Sequence, residues 1–459
     1  MSTIHSERAH EILKQRDKVD HHDATFWQLR QGRDKMAKSL PEWESLRDHA
    51  SAIKRHTLTH LADYLEQFSS QLESRGVIVH WAKDANELNE MVYGILESHK
   101  VTKMVKSKSM LTEECGLNAY LEQRGIDVVE TDLGERILQL MHRAPAHIVV
   151  PAMHITKEEV AETFEAKGIS KDKGNTDPTY LTYCARKSLR HEFMEAGAGL
   201  TGCNFGVAKT GDIVVCTNEG NADMTTSMPK LHIVTMGIEK LVPDYESLAV
   251  FQRLLCRSAT GQPTTGFTSH FRQARPGAEM HVVLLDNWRS DALANPEHWE
   301  TLKCIRCGAC MNTCPVYRRS TGASYTYFIP GPIGVDLGML ANARQYSDNV
   351  SACSLCLSCD NVCPAEVKPG SQIYLWRQSL DSIGKADHLK KFMSEGMELL
   401  FDHPTLYTDA LKLSPLANFV PEMLTHYSHL NPWGLGHAKP KFANQSFHGW
   451  WKEQQKKKK

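Results

Sequence analysis

The chain has 459 residues, of which 41% are hydrophobic and 23% are charged, which is enough for a sizeable core divided among two to four domains. Its net charge of -1 argues against a polyanionic partner such as nucleic acid. Thirteen cysteines, and no apolar run near the roughly 20 residues that cross a bilayer, predict a cytoplasmic protein without a transmembrane segment, whose membrane contact would come only through partners.

The first 70 residues are polar and favour helix. They lack the apolar core of a signal peptide, and Leu46, Ile53, Leu58 and Leu61 recur at spacings that suit one buried helical face. The pattern predicts a helical N-terminal extension over residues 1–70. We interpret its charges as an ordinary solvated face without chemistry.

From residue 76 the pattern changes to short apolar runs separated by helix-length segments. The runs lie at 77–79, 101–105, 126–129 and 147–150. This alternation predicts an α/β domain over residues 71–292, with a mostly parallel sheet covered by helices. In such sheets ligands bind beyond the carboxyl ends of the strands.

One polar segment follows the second predicted strand directly. Ser107, Lys108 and Ser109 precede a predicted helix, so hydroxyls, amides and a lysine could hold a carboxylate or phosphate there. A solvated turn with a serine cap explains the same residues.

Residues 197–202 match G-x-G-x-x-G letter for letter. A dinucleotide fingerprint must follow a strand and open a helix. Here a predicted helix over 183–196 comes first and strand-like sequence follows. We therefore interpret the glycines as a flexible connection and not as a nicotinamide or flavin site.

A hairpin is predicted over residues 206–216, and its second strand runs into a polar loop. That loop carries Glu219, Asn221 and Asp223, so an acid, a base or a ligand contact would lie there. Glu219 is the catalytic candidate, although an ordinary turn accounts for the same letters. His232, inside the next apolar run, is more typical of a core histidine.

Two runs of cysteines share one spacing. They read CIRCGACMNTCP at 304–315 and CSLCLSCDNVCP at 353–364. Each is C-x2-C-x2-C-x3-C-P, the bacterial signature of four-iron four-sulfur (4Fe-4S) ligation, in which the fourth cysteine serves the other cluster. We therefore predict two 4Fe-4S clusters. Their ligands are Cys304, Cys307, Cys310 and Cys363 for cluster 1, and Cys353, Cys356, Cys359 and Cys314 for cluster 2.

Zinc and disulfides explain these runs less well. Structural zinc takes four ligands from paired C-x2-C elements, which leaves the third cysteine of each triplet unused. Disulfide frameworks belong to small secreted chains. The remaining cysteines have no ligand spacing and are predicted to be small buried residues: Cys115, Cys184, Cys203, Cys216 and Cys256.

The long insertion between the runs favours a helical two-cluster ferredoxin domain over residues 293–385. Four cations flank its first run and would raise a cluster's reduction potential or bind an acidic partner, unless they are merely solvated: Lys303, Arg306, Arg318 and Arg319. Residues 386–459 are predicted to be a C-terminal helical region and a tail of low order. Trp433, Trp450 and Trp451 in that tail could dock on this protein or on a partner.

Taken together, these segments resemble the lactate-utilisation protein B (LutB) family. The resemblance is carried by VTKMVKSKSMLTEE (101–114), ETDLGERI (130–137), TGDIVVCTNEGNADMTTSMPKLHI (210–233), the twin cysteine runs and the SFHGWW tail. It implies a LUD domain, similar in fold to the sugar-phosphate isomerase and CoA-transferase group, fused to a helical ferredoxin domain. It also implies L-lactate oxidation to pyruvate with LutA-type and LutC-type partners. Only the eight cluster cysteines carry over from the family as functional positions.

Three hypotheses follow. In the first, the chain is an oxidoreductase component that relays electrons through its two clusters within a multi-protein lactate-oxidising system. In the second, the LUD domain is itself the catalytic site, with Ser107, Lys108 and Glu219 acting on a hydroxy acid or an acyl compound and the clusters as its electron outlet. In the third, the α/β region is only an interaction scaffold. The electron acceptor is left open.

Overall fold

The computed structural model describes residues 3–107, 109–385, 388–421 and 439–457, so the predicted Lys108 and Trp433 lie outside the described residues. The chain forms two compact units, Met1–Ile383 and Gly384–Lys459. The domain boundaries inferred from the sequence stay predictions.

In the part of the first unit that the structure describes, ten strands make two sheets. The strands are β1 Ile78–Ala82, β2 Lys103–Lys106, β3 Asp127–Glu130, β4 Ala198–Thr201, β5 Phe205–Val207, β6 Asp212–Thr217, β7 Leu231–Gly237, β8 Leu241–Val242, β9 Phe267–Phe271 and β10 Glu279–Leu285. The larger sheet has the order β1-β10-β7-β4-β2-β3, and every neighbouring pair is parallel. The predicted parallel sheet covered by helices is thus confirmed.

The smaller sheet has the order β8-β5-β6-β9 and contains the predicted hairpin. β5 and β6 pair antiparallel, with Phe205 opposite Val214. The turn between them includes Gly211 at φ +68°, a left-handed conformation that glycine adopts without a Cβ penalty. The hairpin prediction is confirmed.

The described residues of the first unit form eighteen α-helices, some on the sheets and the last five around the cysteine runs. They are α1 Ile4–Leu13, α2 Arg16–Lys38, α3 Trp43–Thr59, α4 Leu61–Glu73, α5 Ala85–Ser98, α6 Met110–Cys115, α7 Leu117–Glu122, α8 Leu133–Leu140, α9 Lys157–Ala166, α10 Pro178–Glu195, α11 Asn221–Ser227, α12 Tyr245–Ala259, α13 Arg289–Ala294, α14 Ala309–Thr313, α15 Pro315–Ser320, α16 Gly331–Tyr346, α17 Ser358–Val362 and α18 Pro369–Ser379. Asp84 caps α5, because its carboxylate accepts bonds from the amides of Asn86 and Glu87, both at 3.0 Å.

The prediction of a strand at 147–150 is wrong. The amides of Val149 and Val150 donate to His147 Nδ1, each at 3.1 Å, and not to a neighbouring strand. His147 Nε2 bonds in turn with Asn312 Oδ1 at 3.1 Å, and the buried Ile148 packs in the core around the cysteine runs. This apolar run is therefore buried by a long-range contact and not by sheet pairing.

The interpretation of residues 197–202 as a flexible connection is also wrong. Residues 198–201 form β4, a fully buried strand between β2 and β7. A Cβ on Gly199 would stand 1.9 Å from the carbonyl oxygen of Thr225 in α11. Glycine is needed here because a helix lies directly on the strand, not because the chain must bend.

The second unit contains α19 His388–Asp402, α20 Pro404–Leu413 and α21 Phe447–Lys457. The Phe401 and Tyr407 rings, with centroids 5.6 Å apart, join α19 to α20. Trp450 and Trp451 lie on α21 beside Phe447, so these two tryptophans belong to a helix and not to a tail of low order. Among the described residues, no helix combines the length and the apolar character needed to span a bilayer.

Candidate metal centre and adjoining cavity

The two cysteine runs adopt the same local conformation. Two residues after the first cysteine, Arg306 and Leu355 have φ of +59° and +54°. Two residues further on, Gly308 and Leu357 have φ of +77° and +56°. A short helix follows in each run, α14 or α17, and ends at the fourth cysteine. Each run therefore forms one turn around its first three thiols and projects the fourth beyond it.

Backbone amides point at equivalent sulfurs in the two runs. The amides of Arg306 and Leu355 lie 3.4 and 3.3 Å from Cys304 Sγ and Cys353 Sγ. The amide of Val367 lies 3.3 Å from Cys363 Sγ. Hydrogen bonds to sulfur stabilise thiolate charge and raise the potential of a bound cluster.

The fourth cysteine of each run lies near the thiols of the other run. Burial raises the pKa of the Cys307 thiol, and the nearby Cys363 raises it further. Burial raises the pKa of Cys314 to about 11, and the neighbouring Cys353 and Cys356 add to the rise. These neighbours are the ones that crosswise ligation requires, so the donor set fits two cubane clusters.

The two sets of thiols differ in exposure. Cys307, Cys310 and Cys363 are buried, whereas Cys356 is exposed. The set that includes Cys356 is therefore the one that reaches the protein surface.

The N-terminal helices pack directly on the cysteine runs, so the interpretation of their charges as a solvated face is wrong. Arg33 and Arg47 are 8% and 9% exposed. Arg33 Nη2 donates to the Val362 carbonyl at 3.1 Å, and Arg47 Nε donates to the Cys363 carbonyl at 2.9 Å. The helical spacing of α2 and α3 predicts a buried face but does not reveal that arginines lie on it.

The four cations that flank the first run mostly face acceptors of this chain. Lys303 is 1% exposed and donates to Ser51 Oγ at 3.0 Å. Arg318 Nε lies 3.2 Å from Asp23, and Arg319 Nη1 lies 2.7 Å from Asp20. Hydrogen bonds and ion pairs within the protein therefore explain Lys303, Arg318 and Arg319 better than simple solvation does.

A cavity of about 550 Å³ lies between the carboxyl ends of the large sheet and the first cysteine run. Its size falls within the range of small-molecule pockets, roughly 300–1,000 Å³. Ser107, Ser109 and Glu219 line this cavity, so the structure brings together the described members of the predicted site. Arg306 and Cys307 line it as well. The cavity thus joins the α/β region to the cluster ligands.

The serines contribute to this wall mainly as structural groups. Ser109 caps α6, because its Oγ accepts from the Thr112 amide at 3.4 Å, and it lies 3.2 Å from Thr235 Oγ1. Ser107 is 1% exposed. The predicted serine cap is therefore present at Ser109, and the six-residue α6 is too short to form an anion site by itself.

Glu219 is half-buried in the same cavity lining. Its Oε1 accepts from the Leu133 amide at 3.3 Å. Its own carbonyl accepts from Thr217 Oγ1 at 2.7 Å. The carboxylate is thus held at the N-terminus of α8 while it lines the cavity.

Charged residues that the sequence reasoning missed form a buried cluster at the cavity wall. Arg289, 1% exposed, donates to Glu239 at 2.6 Å and to Glu114 at 2.9 and 3.0 Å. Burial alone would raise the pKa of Glu239, but Arg289, Lys240 and Arg306 outweigh it and lower that pKa to about 2. No fixed sequence spacing links these residues, so no motif could have found them.

Three of the cysteines outside the runs line the cavity: Cys203, Cys216 and Cys256. Cys203 and Cys216 are only half-buried, which corrects the prediction that they are core residues. Burial raises the pKa of each of these two thiols to about 12, so they are neutral at physiological pH.

A second group of metal-binding residue types lies at the opposite end of the sheet. The ligand atoms of His99, Glu279 and His281 lie within 4.8 Å of one another. His281 already bonds Glu279 at 2.6 Å and His80 at 2.9 Å. These side chains satisfy one another without an ion.

Residues 65–285 match the LUD domain family, and residues 300–367 match the 4Fe-4S dicluster domain family. A Shouchella clausii protein named Lactate utilization protein B is 39% identical over 432 residues, which cover 91% of this chain and 90% of that protein. A protein of the same name from Oceanobacillus iheyensis is 38% identical over 455 residues, with 93% and 91% coverage. The Escherichia coli protein named Uncharacterized electron transport protein YkgF is 36% identical over 435 residues, with 92% and 91% coverage.

Proposed function

Because this chain belongs to the lactate utilization protein B family, we propose that it is the iron–sulfur electron-transfer subunit of a multi-protein system that oxidises L-lactate to pyruvate. The family resemblance inferred from the sequence is thereby confirmed. An iron–sulfur electron-transfer role in lactate utilization follows from the family and from the dicluster domain. The particular reaction, the partner proteins and the ligand assignment are the proposal.

The observation that carries the proposal is the duplicated cysteine site. Cys304, Cys307, Cys310 and Cys363 would hold one cluster, and Cys353, Cys356, Cys359 and Cys314 the other. The matched left-handed residues and the amides directed at equivalent sulfurs support this assignment. When bound, each cubane supplies one-electron chemistry, which suits a substrate that releases two electrons and two protons on oxidation.

The protein itself fixes and insulates these sites. Arg33 and Arg47 donate to the carbonyls of Val362 and Cys363 and so tie the second cysteine run to the N-terminal helices. Their positive charge also lies close to ligands that become anionic when a cluster binds, which favours the reduced state. The exposure of Cys356 supports an exit toward a downstream acceptor at the second site.

The partners in this proposal are LutA-type and LutC-type proteins, and the location is the cytoplasm. A membrane contact would then come through those partners.

The test is anaerobic. The purified chain, with its iron and sulfide quantified, is mixed with L-lactate alone and then with lactate plus LutA-type and LutC-type partners, while cluster absorbance and electron paramagnetic resonance are followed. We expect dithionite to reduce both clusters, and lactate to do so only when the partners are present. Clusters that stay oxidised with the complete system would contradict the relay.

A second candidate function follows from the cavity. Its contact with Cys307 and its lining by Glu219 favour a hydroxy-acid site in the LUD domain, with Glu219 as the acid–base group and the clusters as electron outlet. Reduction by lactate without partners in the same experiment would support it.

The Glu219→Gln variant tests this second function directly. General acid–base catalysis contributes about 10²–10⁴-fold, so turnover should fall by that factor while iron content stays unchanged. Glu122→Gln, an exposed change on α7, is the matched control. Normal turnover in Glu219→Gln would remove Glu219 from the mechanism.

A further inference from the structure

Lys240 is a half-buried lysine on the cavity wall, at the end of the turn that follows β7. Within the described part of the chain, its ammonium makes no hydrogen bond and no ion pair within 4 Å. Burial lowers its pKa, Arg306 lowers it further, and Glu239 opposes both. A buried ammonium without a hydrogen bond or an ion pair is stabilised when an anion enters the cavity.

Neighbouring Lys54 shows the contrast. Its ammonium donates to the carbonyls of Glu239 and Leu241, behind the cavity wall. Burial lowers its pKa to about 7. Lys54 is therefore satisfied by the protein, whereas Lys240 lines the cavity without such a bond among the described residues.

Arg306 supplies a second, independent sign of a missing partner. Its Nη2 lies 3.7 Å from Glu239, while its Nη1 is buried and has no hydrogen-bond acceptor among the described residues. A buried guanidinium nitrogen without an acceptor is costly unless a ligand or water supplies one. Arg306 and Lys240 line the same cavity.

The charged groups of the cavity lining are unevenly paired. The lining carries three cations, Lys240, Arg289 and Arg306, and four carboxylates. Glu114 and Glu239 bond Arg289, whereas Asp132 and Glu219 accept from amides at the N-terminus of α8. Arg289 is fully engaged by Glu114 and Glu239. Among the described residues, Lys240 and Arg306 are therefore the cations of the lining that lack a full set of acceptors, which suits an entering anion.

The rest of the wall suits a small organic group. Met110, Ile148 and Ile329 offer apolar surface, and Ser107 and Asn204 lie on the same wall with polar groups for hydroxyl or carbonyl oxygens. An inorganic anion would leave this apolar surface unused.

We propose that Lys240 and Arg306 form an anion subsite that binds the carboxylate of a small organic monoacid inside the cavity. The choice of a 2-hydroxy or 2-oxo acid rests on the proposed function. The subsite itself rests on the geometry.

Anion binding at this subsite should be coupled to the redox state of the first cysteine site. Arg306 carries the amide that lies 3.4 Å from Cys304 Sγ, and Cys307 lines the cavity. An added electron there repels a bound carboxylate, and by linkage a bound carboxylate lowers the reduction potential. Tenfold weaker binding to the reduced protein corresponds to a potential lowered by about 59 mV for one electron.

The experiment uses the complete, cluster-loaded chain in anaerobic calorimetry, with pyruvate and L-lactate as probes. Lactamide, which has the same shape without the charge, is the ligand control. Wild type should bind at least one acid and not lactamide. Lys240→Gln should weaken acid binding by at least about tenfold because a charge-assisted hydrogen bond is lost. Lys240→Arg should restore most of it.

Lys230→Gln is the matched protein control, because Lys230 is exposed at the other end of the same strand. It should bind as wild type does, and unchanged iron content and paramagnetic resonance of all variants would show intact folding.

Three results would overturn the subsite: lactamide binding as well as the acids, Lys240→Gln binding them as wild type does, or wild type binding neither acid. If Lys240→Gln shifts only the potential of cluster 1, the ammonium merely balances cluster charge and the subsite is wrong. The relay is judged separately, by reduction with the partner proteins, so either proposal can fail alone.

Discussion

Replacing Cys307 with serine is expected to lower the iron content of the purified chain from about eight atoms to about four, and replacing Cys356 is expected to do the same at the other site. Serine is too poor a ligand to replace a thiolate in a cubane. Iron and sulfide analysis and paramagnetic resonance measure the loss. Cys184→Ala is the control, because Cys184 is buried on α10, far in sequence from either run, and should keep all the iron.

Double variants separate crosswise ligation from ligation within one run. If the assignment is right, Cys307→Ser with Cys363→Ser removes two ligands of one cluster and leaves about four irons, whereas Cys307→Ser with Cys314→Ser removes a ligand from each and leaves almost none. The reverse pattern would mean that each run holds its own cluster.

The two single variants should also differ in their redox behaviour. The cavity adjoins Cys307, whereas Cys356 is exposed. If electrons enter beside the cavity and leave at the surface, Cys307→Ser should abolish reduction by lactate and partners. Cys356→Ser should still be reduced but should fail to pass electrons to an acceptor. Identical behaviour of the two variants would contradict this direction of flow.

The sequence predicts features whose cause is local. The cysteine spacing and the hairpin over residues 206–216 each depend on residues within one loop or one turn, and the structure contains the hairpin and the matched turns of the two cysteine runs. Ligand assignment across the two runs depends on that same spacing and stays a prediction.

Features that depend on distant partners were missed or misread. Residues 198–201 form a buried strand on which α11 packs closely at Gly199, and the 147–150 run is buried by the region around Asn312. Neither contact leaves a periodic signal in the local sequence. For the same reason Arg47 looked like a solvated charge although it bonds a carbonyl 316 positions away.

The candidate site shows the same limit. The sequence pointed to Ser107, Ser109 and Glu219 because polar residues follow buried strands, and these residues do line one cavity. Lys240 and Arg306 lie 66 positions apart, and only the fold brings them to the same wall. Their proximity to Glu239 could be judged only once the fold was known.

Replacing Arg289 with methionine should destabilise the first unit by about 3–5 kcal/mol, the range found when one partner of a buried ion pair is removed. Methionine fills similar space but leaves Glu114 and Glu239, 6% and 3% exposed at their side chains, without their main cation. Anaerobic urea unfolding followed by circular dichroism measures the change. Arg253→Met, which breaks the exposed Arg253–Glu42 pair, should cost less than about 1 kcal/mol.

The pH dependence of the free energy of unfolding identifies why Arg289→Met is destabilised. In the wild type the pKa of Glu239 is lowered to about 2 from its usual 4.5, so its ion pairs stabilise the fold above about pH 4.5 and the effect is lost as the pH falls toward 2. Once Arg289 is removed, we expect burial to outweigh the remaining Lys240 and Arg306 and to raise the pKa of the Glu239 carboxyl above its usual value. A carboxyl with a raised pKa stabilises the fold at low pH and loses the effect as the pH rises. The stability gap between Arg289→Met and wild type should therefore be wider at pH 8 than at pH 5. An equal gap at both values would mean that lost packing, and not an uncompensated carboxylate, explains the instability.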